Sequence, residues 1–168
     1  MKKRVLFVCL GNICRSPAAE GVFLHLLAQA EAADRFVVDS AGTGSWHVGT
    51  AADRRMREAA SRRGISLTSR ARQLELDDLV HFDHILTMDA SNLAQVESLA
   101  RESRVASANR ARIEPLVRYC SRFEALEVPD PYYGGAAGFE HVLDLLEDAC
   151  TGLLVALDSE STRKHPRA

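Results

Sequence analysis

One short stretch of the sequence combines a thiol, a turn and an arginine. Residues 8–21 read VCLGNICRSPAAEG, so that five residues separate Cys9 from Arg15. This spacing alone says little about function, because a cysteine and an arginine fall at such a distance by chance in a chain rich in arginine. The context is more informative: an apolar, β-branched run ends at Cys9, Gly11 and Asn12 favour a turn, and a helix is predicted directly after Arg15. The cysteine therefore lies where a strand gives way to a helix.

A loop between a strand and a helix N-terminus can bind an anion. Glycine adopts positive φ freely and asparagine more readily than most residues, so Gly11 and Asn12 let the loop curl with its backbone N–H groups inward. The helix N-terminus adds N–H groups and the positive end of its dipole. Arg15 can hold two phosphate oxygens at once, and the same positive field favours the thiolate form of Cys9. This arrangement predicts covalent phosphoryl transfer without a metal ion.

The leaving oxygen of such a reaction needs a proton, and Asp130 is the candidate donor. It lies in EVPDPYYGG, where Pro129 and Pro131 restrain the backbone on both sides. Tyr132 and Tyr133 follow at once, where an aromatic leaving group could pack against them. Pro-Asp-Pro is also good turn chemistry, and the tyrosines are compatible with simple packing. The segment by itself leaves both interpretations open.

The elements that would position these residues alternate along the chain. Strands are predicted at residues 4–9, 36–40 and 83–88, with residues 113–116 a poor candidate for a fourth. Helices are predicted at residues 16–30, 50–63, 91–100 and 139–159, and a loop at residues 41–45. This order predicts an α/β fold, a parallel sheet with helices on both faces. Ligands of such folds bind at the carboxyl ends of the strands, where Cys9, Ser40 and residues 87–89 lie.

Composition bounds the class of protein. The 168 residues are 46% hydrophobic and 26% charged, with a formal net charge of −2, which gives no reason to expect nucleic acid as a partner. We expect one domain at residues 1–159 and a polar tail at residues 160–168. Almost all of the basic residues are arginine, which together with the many alanines favours a GC-rich bacterial source.

Targeting signals and the number of cysteines indicate in which cellular compartment the protein is expected. The apolar run after MKKR is only about six residues long, too short for a signal peptide, and no run is long enough to cross a membrane. The four cysteines do not form a disulfide framework in a chain of this size. We therefore expect a cytoplasmic monomer without a membrane partner.

Four stretches together resemble the low-molecular-weight protein tyrosine phosphatases. They are VCLGNICRSPAAEG, VDSAGTGSWHVG, FDHILTMDASN and VPDPYYGG, in the family's order from about residue 4 to about residue 157. The resemblance implies a three-layer α/β/α sandwich with a central four-stranded parallel sheet and a phosphate-binding loop between the first strand and the first helix. It implies hydrolysis of phosphotyrosine in proteins without a cofactor or metal ion. The implied partner is a phosphotyrosyl protein, with an autophosphorylated tyrosine kinase as one candidate.

The resemblance also implies roles for individual residues. Cys9 would be the nucleophile and Arg15 the phosphate ligand. Asp130 would act first as acid and then as the base that activates water. The hydroxyl of Ser16 would ease departure of the Cys9 thiolate from the phospho-enzyme.

Further residues would shape the site. The phosphate-binding loop would comprise Leu10, Gly11, Asn12, Ile13 and Cys14. Asn12 and Ser40 would hold its shape, and Cys14 would form a reversible disulfide with Cys9 under oxidation. Trp46 would lie on the rim, opposite Tyr132 and Tyr133. Asp89 either holds the loop after the third strand or caps the following helix.

One departure from the family pattern concerns loop support. Ser69 stands where animal members carry a histidine that hydrogen-bonds the phosphate-binding loop, which puts the support network in question.

Several rival functions remain beside the phosphatase. An arsenate reductase on the same fold needs further cysteines, and residues 79–92 contain none. A protein arginine phosphatase carries threonine at the position of Ile13, whose bulk would favour a phenyl phosphate instead. A phosphotyrosine-binding or redox-sensing module without turnover would retain the same residues. A zinc site at Cys9 and Cys14 lacks partner ligands.

Overall fold

A computed structural model describes the chain from residue 1 to residue 164, and its side chains to residue 160. Within those residues it contains four β-strands and five α-helices, with short 3-10 turns between some of them. The strands are β1 (Lys3–Cys9), β2 (Phe36–Gly42), β3 (His84–Thr87) and β4 (Arg112–Pro115). The helices are α1 (Arg15–Gln29), α2 (Arg54–Ser61), α3 (Asp78–His81), α4 (Ala90–Ser103) and α5 (Ala136–Lys164).

The four strands form one parallel sheet in the order β2-β1-β3-β4. A parallel sheet covered on both faces buries its central strands completely, which explains why the run VLFV in β1 is apolar without alternation. All four of these side chains are fully buried. The predicted four-stranded parallel sheet between helical layers is confirmed.

Side chains of β1 alternate between the two faces of the sheet. Val5 and Phe7 belong to a core cluster built with the apolar sides of α1 and α5. Leu6 and Val8 belong to a second cluster, formed with α3 and α4. The central strand is thus fixed from both sides, and its carboxyl end carries Cys9.

Some element boundaries differ from the prediction. Residues 113–116 looked poor as a strand, yet β4 forms by pairing with β3 at the edge of the sheet, where a terminal Pro115 is tolerated. Helix α2 begins only at Arg54, because the carboxylate of Asp53 caps it by accepting bonds from the N–H groups of Arg55 (2.8 Å) and Met56 (3.4 Å). The single turn of α3 is too short to show a periodicity in the sequence.

The last helix is longer than its predicted range of 139–159. It runs from Ala136 to Lys164, so the domain boundary predicted after residue 159 falls inside it. Residues 165–168 of the predicted tail lie outside the described residues. Among the helices of residues 1–164, none combines the length and apolar character that crossing a bilayer requires.

The sheet order fixes where a ligand can bind. β1 has β2 on one side and β3 on the other, so the chain leaves β1 in one direction and later returns to its opposite side. A crevice forms at such a switch point, outside the carboxyl ends of the strands. The segments after β1, β2 and β3 all reach this edge.

Candidate active site

The loop that follows β1, residues 9–15, is called the Cys9 loop here. Its Asn12 has φ 55°, the left-handed conformation that the sequence predicted for the turn, whereas Gly11 does not adopt a positive φ. Three carbonyls of the loop accept bonds from amides outside it: Cys9 from Thr43 (2.9 Å), Leu10 from Gly44 (2.9 Å) and Ile13 from Asp53 (2.7 Å). Because a trans peptide points its C=O and N–H in opposite directions, the N–H groups that follow these carbonyls point into the loop. This is the geometry of an anion-binding nest.

Close approach of β2 to the Cys9 loop requires a glycine. A Cβ atom on Gly42 would stand 2.8 Å from the carbonyl oxygen of Leu10 and 3.1 Å from the amide nitrogen of Asn12. A larger residue would push the end of β2 away from the loop and break the amide contacts that shape it.

The side chain of Asn12 links the loop to its surroundings. Its Nδ2 donates to the hydroxyls of Ser16 (2.8 Å) and Ser40 (3.0 Å), and its Oδ1 accepts from the backbone N–H of Arg72 (3.0 Å). The side chains of Asn12, Ser16 and Ser40 are buried. A buried amide with these partners satisfied fixes the turn in one conformation.

Beneath Ser40 lies an acid that the sequence reasoning missed. The hydroxyl of Ser40 donates to Oε1 of Glu20 (2.6 Å), and Ser69 also hydrogen-bonds this carboxyl. Burial raises the pKa of Glu20, against the lowering effect of these hydroxyls. Ser69 therefore takes part in the support network, through Glu20 and Ser40. The only signal in the sequence was an acid on an otherwise apolar side of the predicted helix.

Arg72 is a second support that the sequence did not reveal. Its Nε donates to Asp39 (3.0 Å), and its Nη1 and Nη2 form a fork on Asp78 (3.0 and 3.1 Å). This ties the backbone that holds Asn12 to β2 and α3. Arg72 lies far from the Cys9 loop in sequence, in a region of many arginines, so no pattern in the sequence indicates that it supports this loop.

Cys9 and Ser16 lie side by side in the buried floor of the site. The Sγ atom of Cys9 is 3.0 Å from the Oγ atom of Ser16, and Cys9 is 3% exposed. Since Asn12 donates to the Ser16 oxygen, the Ser16 hydroxyl can donate its proton to the Cys9 sulfur at 3.0 Å or to the carbonyl of Ala41 at 3.4 Å. The hydroxyl can thus stabilise a thiolate.

Arg15 is as buried as Cys9 and is held by two partners. Its Nη1 donates to Oδ2 of Asp89 (2.6 Å) and to the carbonyl of Val128 (3.0 Å). Its Nη2 lies 3.7 Å from Oδ2 of Asp130. Asp89 also accepts from the backbone N–H of Asn92 (2.8 Å) and caps α4, so it both anchors Arg15 and caps the helix.

Cys14 is the second thiol of the Cys9 loop. It is buried, and its pKa is raised to about 12, first by burial and then by the negative charges of Asp53, Cys9 and Asp130. Arg55 opposes this shift. Cys14 therefore remains a thiol near neutral pH.

The segment with the candidate acid, residues 128–135, is called the Asp130 loop here. Its start is fixed because the Val128 N–H donates to the carbonyl of Met88 at the end of β3 (2.7 Å). The Asp130 side chain is 41% exposed, and its Oδ1 accepts from the N–H of Tyr132 (3.1 Å). The other oxygen, Oδ2, faces Arg15.

These parts surround one cavity of about 320 Å³. Its lining includes Cys9, Leu10, Gly11, Ile13, Cys14, Arg15, Trp46, His47, Asp130, Tyr132 and Tyr133. Trp46 is 73% exposed, and its ring covers Gly44, where a Cβ atom would stand 1.9 Å from it. Across the mouth, the rings of His47 and Tyr132 are 6.5 Å apart. His47 is the histidine that the sequence places nearest the cleft, and it lines the cavity.

Among the residues that the structure describes, no group of three or more His, Cys, Asp and Glu side chains is placed to hold a metal ion. The site instead offers a guanidinium and inward amides for an oxyanion, a thiol beneath it and a carboxyl beside it. These features define an oxyanion-binding site of the kind that a phosphatase needs.

Comparison with known proteins defines the family. The chain matches the low molecular weight phosphotyrosine protein phosphatases over residues 4–163. A relative from Synechocystis sp. named for this class is 49% identical over 157 residues, which is 94% of this chain and 98% of that protein. The chain belongs to the low molecular weight phosphotyrosine protein phosphatases and is a protein tyrosine phosphatase.

Solved structures show the same similarity. A protein tyrosine phosphatase from Entamoeba histolytica superposes with a TM-score of 0.89 and is 39% identical, covering 95% of this chain and 99% of that one. A Drosophila arginine phosphatase superposes with a TM-score of 0.85 and is 34% identical, covering 94% of this chain and 98% of that one.

Proposed function

We propose that this enzyme hydrolyses phosphotyrosine in proteins through a cysteinyl-phosphate intermediate on Cys9, with Asp130 as general acid and base. One observation carries the proposal: the thiol of Cys9 and the carboxyl of Asp130 line the same cavity, and the guanidinium of Arg15 lies in its wall. A nucleophile and an acid must lie on opposite sides of a transferring phosphoryl group.

In the first step, the Cys9 thiolate attacks phosphorus and the bond between phosphorus and the phenolic oxygen breaks. Asp130 gives its proton to that oxygen. Arg15 and the inward amides hold the equatorial oxygens, where negative charge is spread in the transition state.

In the second step, water attacks the phosphorus of the intermediate and the sulfur–phosphorus bond breaks. Asp130, now a carboxylate, takes a proton from the water. The Cys9 thiolate leaves, and the Ser16 hydroxyl 3.0 Å away stabilises its charge. The cycle returns both groups to their starting state.

The rim favours an aromatic phosphate ester as substrate. Trp46, Tyr132 and Tyr133 present ring surface at the mouth of the cavity, against which a phenyl ring can pack. A phosphotyrosyl protein, such as an autophosphorylated tyrosine kinase, fits this entrance. The free cysteines suit a reducing compartment, consistent with a cytoplasmic location.

Kinetics with a series of aryl phosphates tests the mechanism. Asp130→Ala is expected to lower kcat/KM by about 10²-fold or more for a poor leaving group and far less for a good one. Cys9→Ser is expected to abolish turnover while still binding phosphate. An Asp130→Ala enzyme with full activity on phenyl phosphate would remove Asp130 as the acid.

A substrate panel tests the rival functions. We expect phosphotyrosyl peptides to be turned over in preference to phosphoarginyl peptides, with Ile13→Thr shifting the ratio towards phosphoarginine. A wild-type preference for phosphoarginine would favour an arginine phosphatase instead. Robust thioredoxin-coupled arsenate reduction would favour an arsenate reductase, and phosphate binding without hydrolysis a non-catalytic module.

We also propose redox protection of the nucleophile. Cys9 and Cys14 lie on one short loop, so a peroxide can oxidise the Cys9 thiol to a sulfenic acid, and attack of Cys14 on that sulfur then forms a disulfide and releases water. The disulfide prevents irreversible oxidation of Cys9, and a thiol reductant restores both thiols.

A further inference from the structure

Arg55, in the first turn of α2, connects the two loops that form the cavity. Its Nη2 donates to Oδ2 of Asp53 (3.0 Å) and to the carbonyl oxygen of Tyr132 (3.0 Å), and its Nε donates to Oδ1 of Asp53 (3.2 Å). One planar guanidinium therefore contacts a helix cap and the Asp130 loop simultaneously.

The Asp53 end of this connection is fixed to the Cys9 loop. The Asp53 N–H donates to the carbonyl of Ile13 (2.7 Å), and its carboxylate caps α2. Burial acts to raise the pKa of Asp53, but the hydrogen bonds from Arg55 outweigh it and lower the pKa overall. The carboxylate is thus ionised when it binds Arg55.

The Tyr132 end is fixed to the candidate acid. The Tyr132 N–H holds Oδ1 of Asp130 (3.1 Å), while the Tyr132 carbonyl accepts from Arg55. The guanidinium carbon also lies 5.4 Å from the centre of the Tyr132 ring and 4.8 Å from that of Phe139, at the start of α5. The residue that holds the carboxyl is therefore itself held, through its carbonyl and its ring.

We infer that Arg55 is a positioning residue, which sets the place of the Asp130 carboxyl relative to the phosphate held by the Cys9 loop. This inference rests on the proposed role of Asp130 as general acid. Arg55 acts through Asp53 on one side and Tyr132 on the other, without touching the phosphate. Misplacement of a catalytic group by about 1 Å can lower a rate by as much as about 10²-fold.

The test is the dependence of kcat/KM on the pKa of the leaving phenol across a series of aryl phosphates. A well-placed acid makes this dependence shallow, because it protonates the leaving oxygen as the bond breaks. We expect Arg55→Ala to steepen the dependence and to lower kcat/KM about tenfold for phenyl phosphate, while changing it about twofold or less for the best leaving groups. Arg55→Lys, which keeps the charge but loses the fork, is expected to fall between Arg55→Ala and wild type.

Arg54→Ala is the matched control. Arg54 is the neighbouring residue on α2, is 80% exposed and pairs only with Glu58 on its own helix among the described residues. The Arg54→Ala variant is expected to keep the shallow dependence of kcat/KM on the pKa of the leaving phenol. Thermal melting of Arg54→Ala, Arg55→Ala and Arg55→Lys shows whether each variant is folded at the assay temperature, and Arg55→Lys carries the test if Arg55→Ala is not.

A double mutant separates this inference from the proposed mechanism. If Arg55 acts through Asp130, then Arg55→Ala adds no more than about twofold to the loss in an Asp130→Ala background. A loss in Arg55→Ala that is equal for all leaving groups, or that multiplies with Asp130→Ala, would overturn the role of Arg55 alone. A shallow dependence in Asp130→Ala itself would overturn the proposed acid, and the role of Arg55 with it.

Discussion

The Cys9 loop and the Asp130 loop contribute to the same cavity but are built in different ways. The Cys9 loop is buried, joins a central strand to a helix, and is held by backbone amides and by the buried side chain of Asn12. The Asp130 loop lies at the surface, and Tyr133 in it is 93% exposed. Its Val128 N–H donates to the carbonyl of Met88, and its other ties to the rest of the molecule near Asp130 come from the side chains of Arg15 and Arg55.

This difference suits the two tasks that we propose for the loops. Phosphate oxygens have the same geometry in every substrate, so preorganised amides can bind them without movement. The acid must approach a leaving oxygen on substrates that enter and leave past it, which favours a loop with few fixed contacts. The two loops should therefore respond differently to substitution.

The largest effect is expected from Arg15→Lys, which weakens phosphate binding by the Cys9 loop. Lysine keeps the charge but cannot hold two phosphate oxygens while also contacting Asp89 and Val128. We expect kcat/KM to fall about 10³-fold and the inhibition constant of inorganic phosphate to rise. Steady-state kinetics on p-nitrophenyl phosphate measures both, with Arg54→Lys as the control. A loss below about tenfold would show that the amides hold the phosphate on their own.

Substitution of Asn12 tests whether side-chain contacts or backbone conformation shape the Cys9 loop. We expect Asn12→Ala to lower kcat/KM about 10²-fold, since it removes three hydrogen bonds and strains the left-handed backbone. Asn12→Gly relieves the strain but not the lost bonds, and we expect it to recover only part of the activity. Full recovery would assign the effect to φ alone. Asn109→Ala, in an exposed turn, is the control.

The pH dependence of oxidation tests Cys14, whose pKa of about 12 reflects burial and the acids around it. Only the thiolate attacks a sulfenic acid efficiently, and its fraction rises about tenfold per pH unit well below the pKa. We therefore expect the Cys9–Cys14 disulfide to form faster by about that factor for each pH unit between about pH 7 and pH 9. Mass spectrometry after a peroxide pulse measures it, with Cys120→Ser as control. A rate independent of pH, or sulfonic acid at Cys9 alone, would contradict the assignment.

A smaller effect is expected in the Asp130 loop from Pro131→Ala. The proline restricts the backbone beside the acid, a contribution of about 0.4–1 kcal/mol, which corresponds to about two- to fivefold in rate. The loss should appear in kcat/KM for phenyl phosphate and not in phosphate binding. A loss as large as that of Asn12→Ala would show that the two loops are equally preorganised.

The smallest effect concerns stability, through Glu20 beneath the Cys9 loop. Because burial raises its folded pKa, Glu20 contributes stability below its unfolded pKa and this contribution is lost as pH rises through the folded pKa. Glu20→Gln imitates the protonated form. The melting temperature of this variant should therefore rise relative to that of wild type as pH rises, by about 2–4 °C for each 1 kcal/mol of difference in the free energy of unfolding. Thermal melts at about pH 5 and pH 8 measure this, with exposed Glu102→Gln as control. A constant difference between the two pH values would contradict a raised pKa.

Local patterns were enough to predict the order of the elements and most of the Cys9 loop. The apolar run of β1, the turn residues Gly11 and Asn12, and the helix that follows are encoded by neighbours in the chain. The edge strand β4 was predicted only as a poor candidate and the single turn α3 was not predicted, because pairing with β3 and packing against the sheet stabilise them and their own sequences do not.

The sequence by itself determined which groups can do chemistry: Cys9, Arg15 and Asp130 are recognisable by type, spacing and flanking residues. Only the tertiary structure decided what holds them. Arg72 and Arg55 reach the site from parts of the chain distant from Cys9, and Glu20, although it follows the Cys9 loop closely, acts through its hydrogen bond with Ser40. Such contacts have no period and no local signature, because they depend on how the sheet and helices bring remote residues to one edge.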